Sequence, residues 1–596
     1  MSKSPVFVFT APTESRGVFR RIALVNPVAQ WIVSRLSDLR DSFERVAAYQ
    51  KSGYYVAMVL SYEAARAFDH ALATHLPGQT PLAWFAVSKE TSQFEPASKP
   101  FTLSAPTVAA EKSSYTESLK SVLSHIRAGD IYQANITIRA HCDFSGDPFS
   151  AYCYLSEAVP MPYSAYADLG HMQVLSFSPE LFLELKNDTL ISKPMKGTAP
   201  REPSWDEDEQ ARIALQQSEK DRAENTMIVD LMRNDLGRIC EMGSIQVREM
   251  CSVERYPTVH QMITTVVGKK KPDASLFDIF RAAFPAGSIT GAPKVRASQI
   301  IKNVEFTPRG AYCGSIGMFF PGGDFVCNVA IRTLELNGSV ATIGIGSGIV
   351  ADSDPDKEWE ESLLKVKFVS SKIHDFGLYE AFRFVPGSGY RNLEDHLSRL
   401  ERSCIYFGRP FPRDKILCKL EQLKNELGDK PNRVRLDLNG EEVSFKLIPE
   451  ELAWPADGVT VLIPDVRLDP DDPRLYHKTT DRPEKYLFRS KAKELGADEC
   501  LFLNTRGEFT EGSISNVKFK LAGKWVTPKL TCGLLPGVWR DHQVHEDGVA
   551  EGVVTFEDLK KIEALCMGNS VRGEGSVKKI ILEDGSIVYK ERASAP

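Results

Sequence analysis

Apolar residues recur at helical spacing at Leu36, Leu39, Phe43 and Val46, which predicts an amphipathic helix near the start of the chain. A few residues on, Gly53-Tyr54-Tyr55-Val56-Ala57-Met58-Val59-Leu60 is apolar almost throughout and predicts a buried strand. The polar stretch from Ser88 to Pro106, with Pro96 and Pro100, reads as a linker. The longest patterned region follows, from 111 to about 372. Within it, the run from Glu219 to Asp235 reads as a helix that lines up Glu224 with Met227, Ile228 and Leu231. Glu358-Trp359-Glu360-Glu361-Ser362-Leu363-Leu364-Lys365 reads as a second, acidic helix start. His374-Asp375-Phe376-Gly377 marks a junction, after which the pattern changes. Leu378 to Arg383 is strand-like, and Asn392 to Leu400 is helical with Leu393, Leu397 and Leu400 on one face. Glu508 to Val517 reads as a turn into a strand, and Gly533 to Arg540 as a loop that opens a helix. No internal repeat and no low-complexity tract interrupts this order.

Composition narrows the class. A chain of 596 residues allows two to four folded units at roughly 150 residues each. Hydrophobic residues make up 42%, too many for a disordered chain. The net charge of −6, with no long basic run, argues against sequence-independent nucleic-acid binding. No stretch approaches the roughly 18 apolar residues of a membrane helix. The apolar patch in Met1-Ser2-Lys3-Ser4-Pro5-Val6-Phe7-Val8-Phe9 is too short for a signal peptide, so a cytoplasmic location is expected. The 11 cysteines show no C-x-x-C spacing and read as free thiols of a reduced compartment, with Cys240 and Cys313 in the core.

Several charged residues stand where charge is costly or pointed. Glu224 lies beside an apolar stripe, which is unfavourable for a carboxylate unless it is solvated, paired or bound to metal. Glu361 and Lys365 are four apart and form either a surface ion pair or part of a site. One alternative is that Glu224 and Glu361 hold a single Mg²⁺, which takes oxygen ligands and often only one or two protein carboxylates. Ser192-Lys193-Pro194-Met195-Lys196-Gly197-Thr198 sets Lys196 in a turn from which it projects as a surface lysine, a nucleophile or an anion clamp. Gly344-Ile345-Gly346-Ser347-Gly348 is neither G-x-G-x-x-G nor a Walker motif, and reads as a tight backbone path. Arg399, Lys478 in Tyr476-His477-Lys478-Thr479-Thr480, and Glu511 are each weak signals alone.

In order, these segments resemble the chorismate-utilising enzymes, most closely the aminodeoxychorismate synthase component I group. The matching runs are Ile126 to Asn135, Ser178-Pro179-Glu180, Pro194 to Thr198, Glu224 to Leu231, Phe284 to Lys294, Ala330 to Thr333 and Gly346 to Ser353. Ser61 to Arg66 matches more weakly. Lysine at 196 is typical of that group, where anthranilate synthases carry alanine. The resemblance implies that Lys196 attacks chorismate and that Glu180 is the general acid. It implies that Glu224 and Glu361 hold Mg²⁺. It also implies that Arg332, Lys365 and the amides around Gly346, Ser347 and Gly348 bind carboxylates, while His260 and Thr290 line the pocket. The ammonia would come from a glutamine amidotransferase subunit in trans, because no cysteine here has the setting of a glutaminase nucleophile.

The segments after 375 resemble the class IV, fold-type-IV pyridoxal-phosphate enzymes, a group that includes aminodeoxychorismate lyase and aminotransferases. That resemblance makes Lys478 the lysine that carries pyridoxal 5′-phosphate and Glu511 the partner of its pyridine nitrogen. Arg399, amides near Leu535, and Asn569 with Ser570 would hold the phosphate, and Asn516 would lie near the ring. Relatives often carry a hydroxyl residue where Ala381 stands. Fold-type-IV enzymes pair through this domain, which implies a homodimer.

The expected architecture is α+β. A chorismate-binding two-sheet α/β sandwich (1–108 as its N-terminal part, 109–372 as its catalytic part) precedes a two-subdomain α+β unit over 375–596. The expected function is 4-aminobenzoate synthesis from chorismate by amination and then loss of pyruvate. The rivals are a C-terminal transaminase or a non-catalytic C-terminal domain.

Overall fold

The computed structural model describes residues 4–13, 19–373, 375–448 and 453–591. His374 of the junction and Met1-Ser2-Lys3 of the N-terminal patch lie outside the described residues. The chain divides into two compact units, one of Met1–Ala199 with Arg212–His374 and one of Pro200–Ala211 with Asp375–Pro596.

Among the described residues, the first unit holds two ten-stranded sheets built of antiparallel ladders. One sheet is organised by the strand Gln133–Gly146, which pairs along its length with Val340–Ile349. The other runs from Met195–Pro200 at one end, through Val259–Lys269, to Ala29–Val33 at the opposite end. The strand Tyr55–Leu60 shows why the sequence folds into layers. Ala57 and Val59 join Phe7, Phe9 and Trp84 in the core shared by strands of both sheets. Val56, Met58 and Leu60 point the other way, toward Phe43 and Phe280 of the helices Leu39–Lys51 and Leu276–Ala283. Side chains alternate across a strand, so burial on both faces requires a continuous apolar run.

The stretch from Ser88 to Pro106 is not a linker. Phe101–Leu103 pairs with the strand Gln133–Gly146, and Phe94, Ala97 and Phe101 pack on a core containing Phe149 and Tyr152. The prolines and polar residues conceal apolar anchors spaced too widely to show a period.

Two helices carry the acidic residues. Glu219–Gly237 starts at Ser218, whose hydroxyl accepts the Asp221 N–H at 3.3 Å. Its buried stripe is Asn225, Ile228, Val229, Met232 and Leu236, so Glu224 sits at the stripe's edge, one position from where the sequence pattern centres it. Pro355–Leu364 starts at Asp354, which accepts the N–H groups of Asp356 and Lys357 at 3.1 Å each.

The second unit is also built on two main sheets. A four-stranded antiparallel sheet includes Leu378–Val385 and Asn432–Asn439 and packs against the helices Leu393–Tyr406 and Arg413–Leu427. An eight-stranded sheet mixes parallel pairing of Val459–Ile463 with antiparallel pairing of Asn516–Leu521 and Ala564–Asn569. No helix among the described residues is long and apolar enough to cross a membrane.

Candidate active sites

Lys196 stands on the end strand Met195–Pro200 rather than in a turn, and a strand fixes its direction more firmly than a loop. Its carbonyl accepts Asn225 Nδ2 at 3.3 Å, and Asn225 Oδ1 in turn takes the Thr264 hydroxyl at 2.5 Å. Gly197 has φ +96°, and a Cβ there would lie 3.0 Å from Asp221, so the residue after Lys196 must be glycine. The Lys196 ammonium lies 3.8 Å from Glu224 Oε2, with both side chains mostly buried. Burial holds the Lys196 amine below its ordinary pKa, Glu224 and Glu361 oppose this, and Lys365 adds to it.

The glycine run is a strand segment, and its glycines have separate reasons. A Cβ on Gly348 would meet Lys196 Nζ at 2.2 Å, so glycine there lets the lysine cross the strand. A Cβ on Gly346 would meet the Ile136 carbonyl at 2.1 Å. The Ser347 hydroxyl is engaged with Tyr115 at 3.1 Å. The ladder with Thr333–Asn337 ends at Ile343, so from Gly344 onward only the edge facing Gln133–Gly146 is paired. Alternate amides on the open edge are therefore placed to meet an anion. Lys365 is bonded to the Gly346 carbonyl at 2.9 Å and to Glu361 at 2.7 Å, so it already has partners. Burial raises the Glu361 carboxyl, but Lys365, Lys196 and Lys220 together hold it below the ordinary value.

Glu180 is buried and accepts the Ser288 hydroxyl at 2.6 Å. Burial pushes its carboxyl up to about 7, against the pull of Ser288, the Met195 amide and Lys196. A carboxyl raised this far can carry, near neutral pH, the proton that a general acid needs. Thr290 is buried and donates its hydroxyl to the Ala286 carbonyl at 2.9 Å, two residues from Ser288. His260 is buried on the strand Val259–Lys269. Arg332 has φ +49° and a guanidinium 3.8 Å from Met161 Sδ. Among the described residues, no carboxylate lies within ion-pair distance of Arg332, so it can receive a substrate anion. The sequence reading passed over Gln133. It is wholly buried, neither polar atom of its amide has a hydrogen-bond partner, and Nε2 lies 3.3 Å from the point a Gly348 Cβ would occupy. An unpaired buried amide costs about 1–3 kcal/mol unless a ligand satisfies it. The available signal was a polar residue at every second position, Gln133, Asn135 and Thr137, in an otherwise apolar strand.

Mg²⁺ fits this site in its donor type. Glu224 and Glu361 are hard oxygen donors that both act on Lys196, and such an ion takes its remaining ligands from water and substrate. Among the described residues, no group of three or more His, Cys, Asp or Glu side chains is close enough to hold a metal unaided.

In the second unit, Arg399, Lys478, Glu511, Asn516, Leu535, Asn569 and Ser570 all line one cavity of about 760 Å³, measured out to its open mouth. The strand Leu378–Val385 holds Lys478 by its backbone, as the Tyr379 N–H donates to the Lys478 carbonyl at 3.0 Å. Burial lowers the Lys478 amine to about 7. Arg399 and Arg482 contribute, while Glu380 and Glu511 oppose. Such an amine is largely neutral above pH 7 and able to attack a carbonyl. Glu511 is bonded to Lys485 and accepts Asn516 Nδ2 at 3.3 Å, with Arg482 at 4.0 Å. Asn516 also donates to the Leu535 carbonyl at 3.0 Å. Asn569 is occupied with its own turn, accepting the N–H groups of Val571 at 3.1 Å and Arg572 at 2.8 Å.

Arg399 differs from the sequence expectation. Its paired donors face Glu380, at 2.9 and 2.7 Å, and a third donor reaches the Pro536 carbonyl at 2.9 Å. Two of its five N–H bonds remain for an anion. The reason is that Glu380 sits on the inward face of its strand, between Leu378 and Phe382, where a carboxylate requires a cation. That alternation was visible in the sequence. Lys485, also missed, had no sequence signal. The residues fit pyridoxal phosphate, with an amine of depressed basicity, a buried carboxylate, and donors around Ser570 and Gly537.

One prediction concerns Glu180. Because its carboxyl is raised, the acid form prevails below about pH 7 and is lost above it. At fixed free ammonia and saturating chorismate, amination is expected to fall about tenfold per pH unit well above that value. Glu180→Gln is expected to lower the rate by about 10²–10⁴-fold and remove this limb. An unchanged profile in the variant would assign the acid elsewhere.

Residues 91–371 match the chorismate binding enzymes, and residues 377–580 match amino-transferase class IV. Aminodeoxychorismate synthase component 1 of Escherichia coli (strain K12) is 39% identical over 319 residues, covering 52% of this chain and 69% of that protein. The probable chloroplastic aminodeoxychorismate synthase of Oryza sativa subsp. japonica is 44% identical over 273 residues, covering 45% of this chain and 30% of that protein. The chain thus spans under a third of the plant relative and about two thirds of the bacterial one. Among solved structures, anthranilate synthase component I from Streptococcus pneumoniae TIGR4 aligns at 25% identity with a TM-score of 0.50, covering 62% of this chain and 91% of that one.

Proposed function

The chain belongs to the chorismate-binding family of aminodeoxychorismate synthase component 1, and from that membership we propose that it makes 4-aminobenzoate in two steps. In the first, the Lys196 amine bonds to C2 of chorismate, the ring double bond shifts, and the C4 hydroxyl leaves as water with the Glu180 proton. Ammonia then bonds at C4, the double bond shifts back, and the C2–Nζ bond to Lys196 breaks. Splitting one hard substitution into two allylic ones lowers each barrier. Glu224 and Glu361 would hold Mg²⁺, which supplies positive charge against the substrate carboxylate. Arg332 and the open-edge amides near Gly346 and Gly348 meet the carboxylates. Asn225 and Gly197 hold Lys196 in line. The observation that carries the first step is a buried lysine set between Glu224 and Gly348, with a protonatable acid electrostatically coupled to it.

In the second step, the aminated product enters the cavity around Lys478. Pyridoxal phosphate, when bound, supplies the electron sink for the pair left at C4. Lys478 Nζ takes the C4 proton and returns a proton to the departing enolpyruvate, which leaves as pyruvate. Aromatisation of the ring drives the elimination. Glu511 would pair with the pyridine nitrogen of the cofactor, and Ser570 with the remaining donors of Arg399 would hold its phosphate.

Ammonia is proposed to come from a glutaminase in trans, and the enzyme to work in the cytoplasm. The test is to incubate the full chain with chorismate, ammonium, Mg²⁺ and pyridoxal phosphate, and to follow 4-aminobenzoate and pyruvate together. Equal amounts are expected. Amination without pyruvate, or amino-group exchange with a 2-oxo acid, would overturn the lyase step. No product at all would overturn both.

A further inference from the structure

Three side chains at the cavity wall form an uninterrupted line. Glu380 Oε2 lies 2.7 Å from His396 Nδ1, and His396 Nε2 lies 2.8 Å from Ser570 Oγ. Glu380 and His396 are almost wholly buried, and Ser570 borders the cavity. The three come from the strand Leu378–Val385, the first turn of the helix Leu393–Tyr406, and the turn after the strand Ala564–Asn569. Carboxylate, imidazole and hydroxyl in this order can pass one proton along the line.

We propose that Glu380, His396 and Ser570 form a proton relay that couples binding of a phosphate group in this cavity to uptake of one proton at His396. This rests on reading the cavity as the pyridoxal-phosphate site. In the empty site the ring is neutral. Its Nδ1–H donates to Glu380, its Nε2 accepts the Ser570 hydroxyl, and Ser570 then offers the cavity only lone pairs. A phosphate dianion meeting those lone pairs would be repelled. When a solvent proton binds Nε2, that N–H donates to Ser570 Oγ, and the Ser570 hydrogen turns to a phosphate oxygen. No covalent bond to carbon or phosphorus changes, and the books balance at one proton taken up.

The charges around the ring favour this exchange. Glu380 acts on it from the neighbouring strand, Arg399 from the next turn of its own helix, and Lys478 from across the cavity lining. Burial lowers the pKa of His396, Arg399 and Lys478 add to this, and Glu380 opposes, so the ring is neutral before an anion arrives. The carboxylate is already ionised, because Arg399 and His396 hold its pKa far below the usual range against the effect of burial. A dianion beside Ser570 reverses the balance of charge at the ring.

The test is calorimetry on the full chain freed of cofactor, titrated at pH 8 with pyridoxamine 5′-phosphate in buffers of different protonation enthalpy. A phosphate monoester is dianionic there, since its second pKa is about 6. The wild type is expected to take up about one proton more with pyridoxamine phosphate than with pyridoxamine, a comparison that needs no variant. His396→Asn is expected to lose that extra proton, and Ser570→Ala to bind pyridoxamine phosphate about tenfold more weakly. Equal proton counts for the two ligands, or the same extra proton in His396→Asn, would overturn the relay. If neither ligand binds and added pyridoxal phosphate gives no visible band, the cofactor reading itself fails. The two failures are thus distinguishable.

Discussion

Lys196→Ala is expected to lower chorismate amination by on the order of 10³-fold or more, the scale on which enzymes lose rate when a covalent nucleophile is removed. The fold should survive. The substitution takes an amine out of a site where burial disfavours its charge, and it leaves Glu224 at the edge of its helix stripe with solvent and Lys220 at hand. Its own strand is held by a bond that alanine retains, since Asn225 binds the Lys196 backbone carbonyl and not the side chain. Mass spectrometry of the wild-type chain quenched with chorismate, without ammonia, should show a covalent adduct on the peptide containing Lys196. The variant should show none. An anthranilate-like side reaction is the most activity that should remain. Full amination by the variant, or an adduct on another residue, would sink the nucleophile assignment.

Lys478→Ala is expected to abolish the visible absorbance of lysine-bound cofactor and to stop pyruvate release, while amination of chorismate continues. The separation of effects is the informative part, because Lys478 and Lys196 lie in different compact units. Lys478 combines a backbone tied to the strand Leu378–Val385 with an amine lowered to about 7, and Lys485 is turned to Glu511 instead. Lys485→Ala should therefore keep the visible band that Lys478→Ala loses. A retained chromophore in Lys478→Ala, with pyruvate still formed, would show that the wrong lysine was chosen. Aminated intermediate should accumulate in this variant.

Sequence by itself determined what depends on local order and on motif. The apolar run from Gly53 to Leu60 predicted a buried strand, found at Tyr55–Leu60, and the two charged helices were visible from their spacing. The order of the motifs named the candidate residues for both sites, but no change of pattern reported that Pro200–Ala211 groups with Asp375–Pro596 rather than with its sequence neighbours.

Tertiary structure decided what depends on which distant residues meet. The segment from Ser88 to Pro106 became part of a sheet because Phe101–Leu103 meets Phe144–Gly146 at the end of a strand, and no local pattern reports a partner. Gly348 read only as part of a tight backbone path, and only packing shows that a Cβ there would meet Lys196 and that the Gln133 amide beside it lacks a partner. Arg399 was expected to hold a phosphate, yet its paired donors go to Glu380. The pKa shifts of Glu180 and Lys478 have the same origin. Desolvation and through-space charge depend on packing, and residues far apart in the chain bring both about.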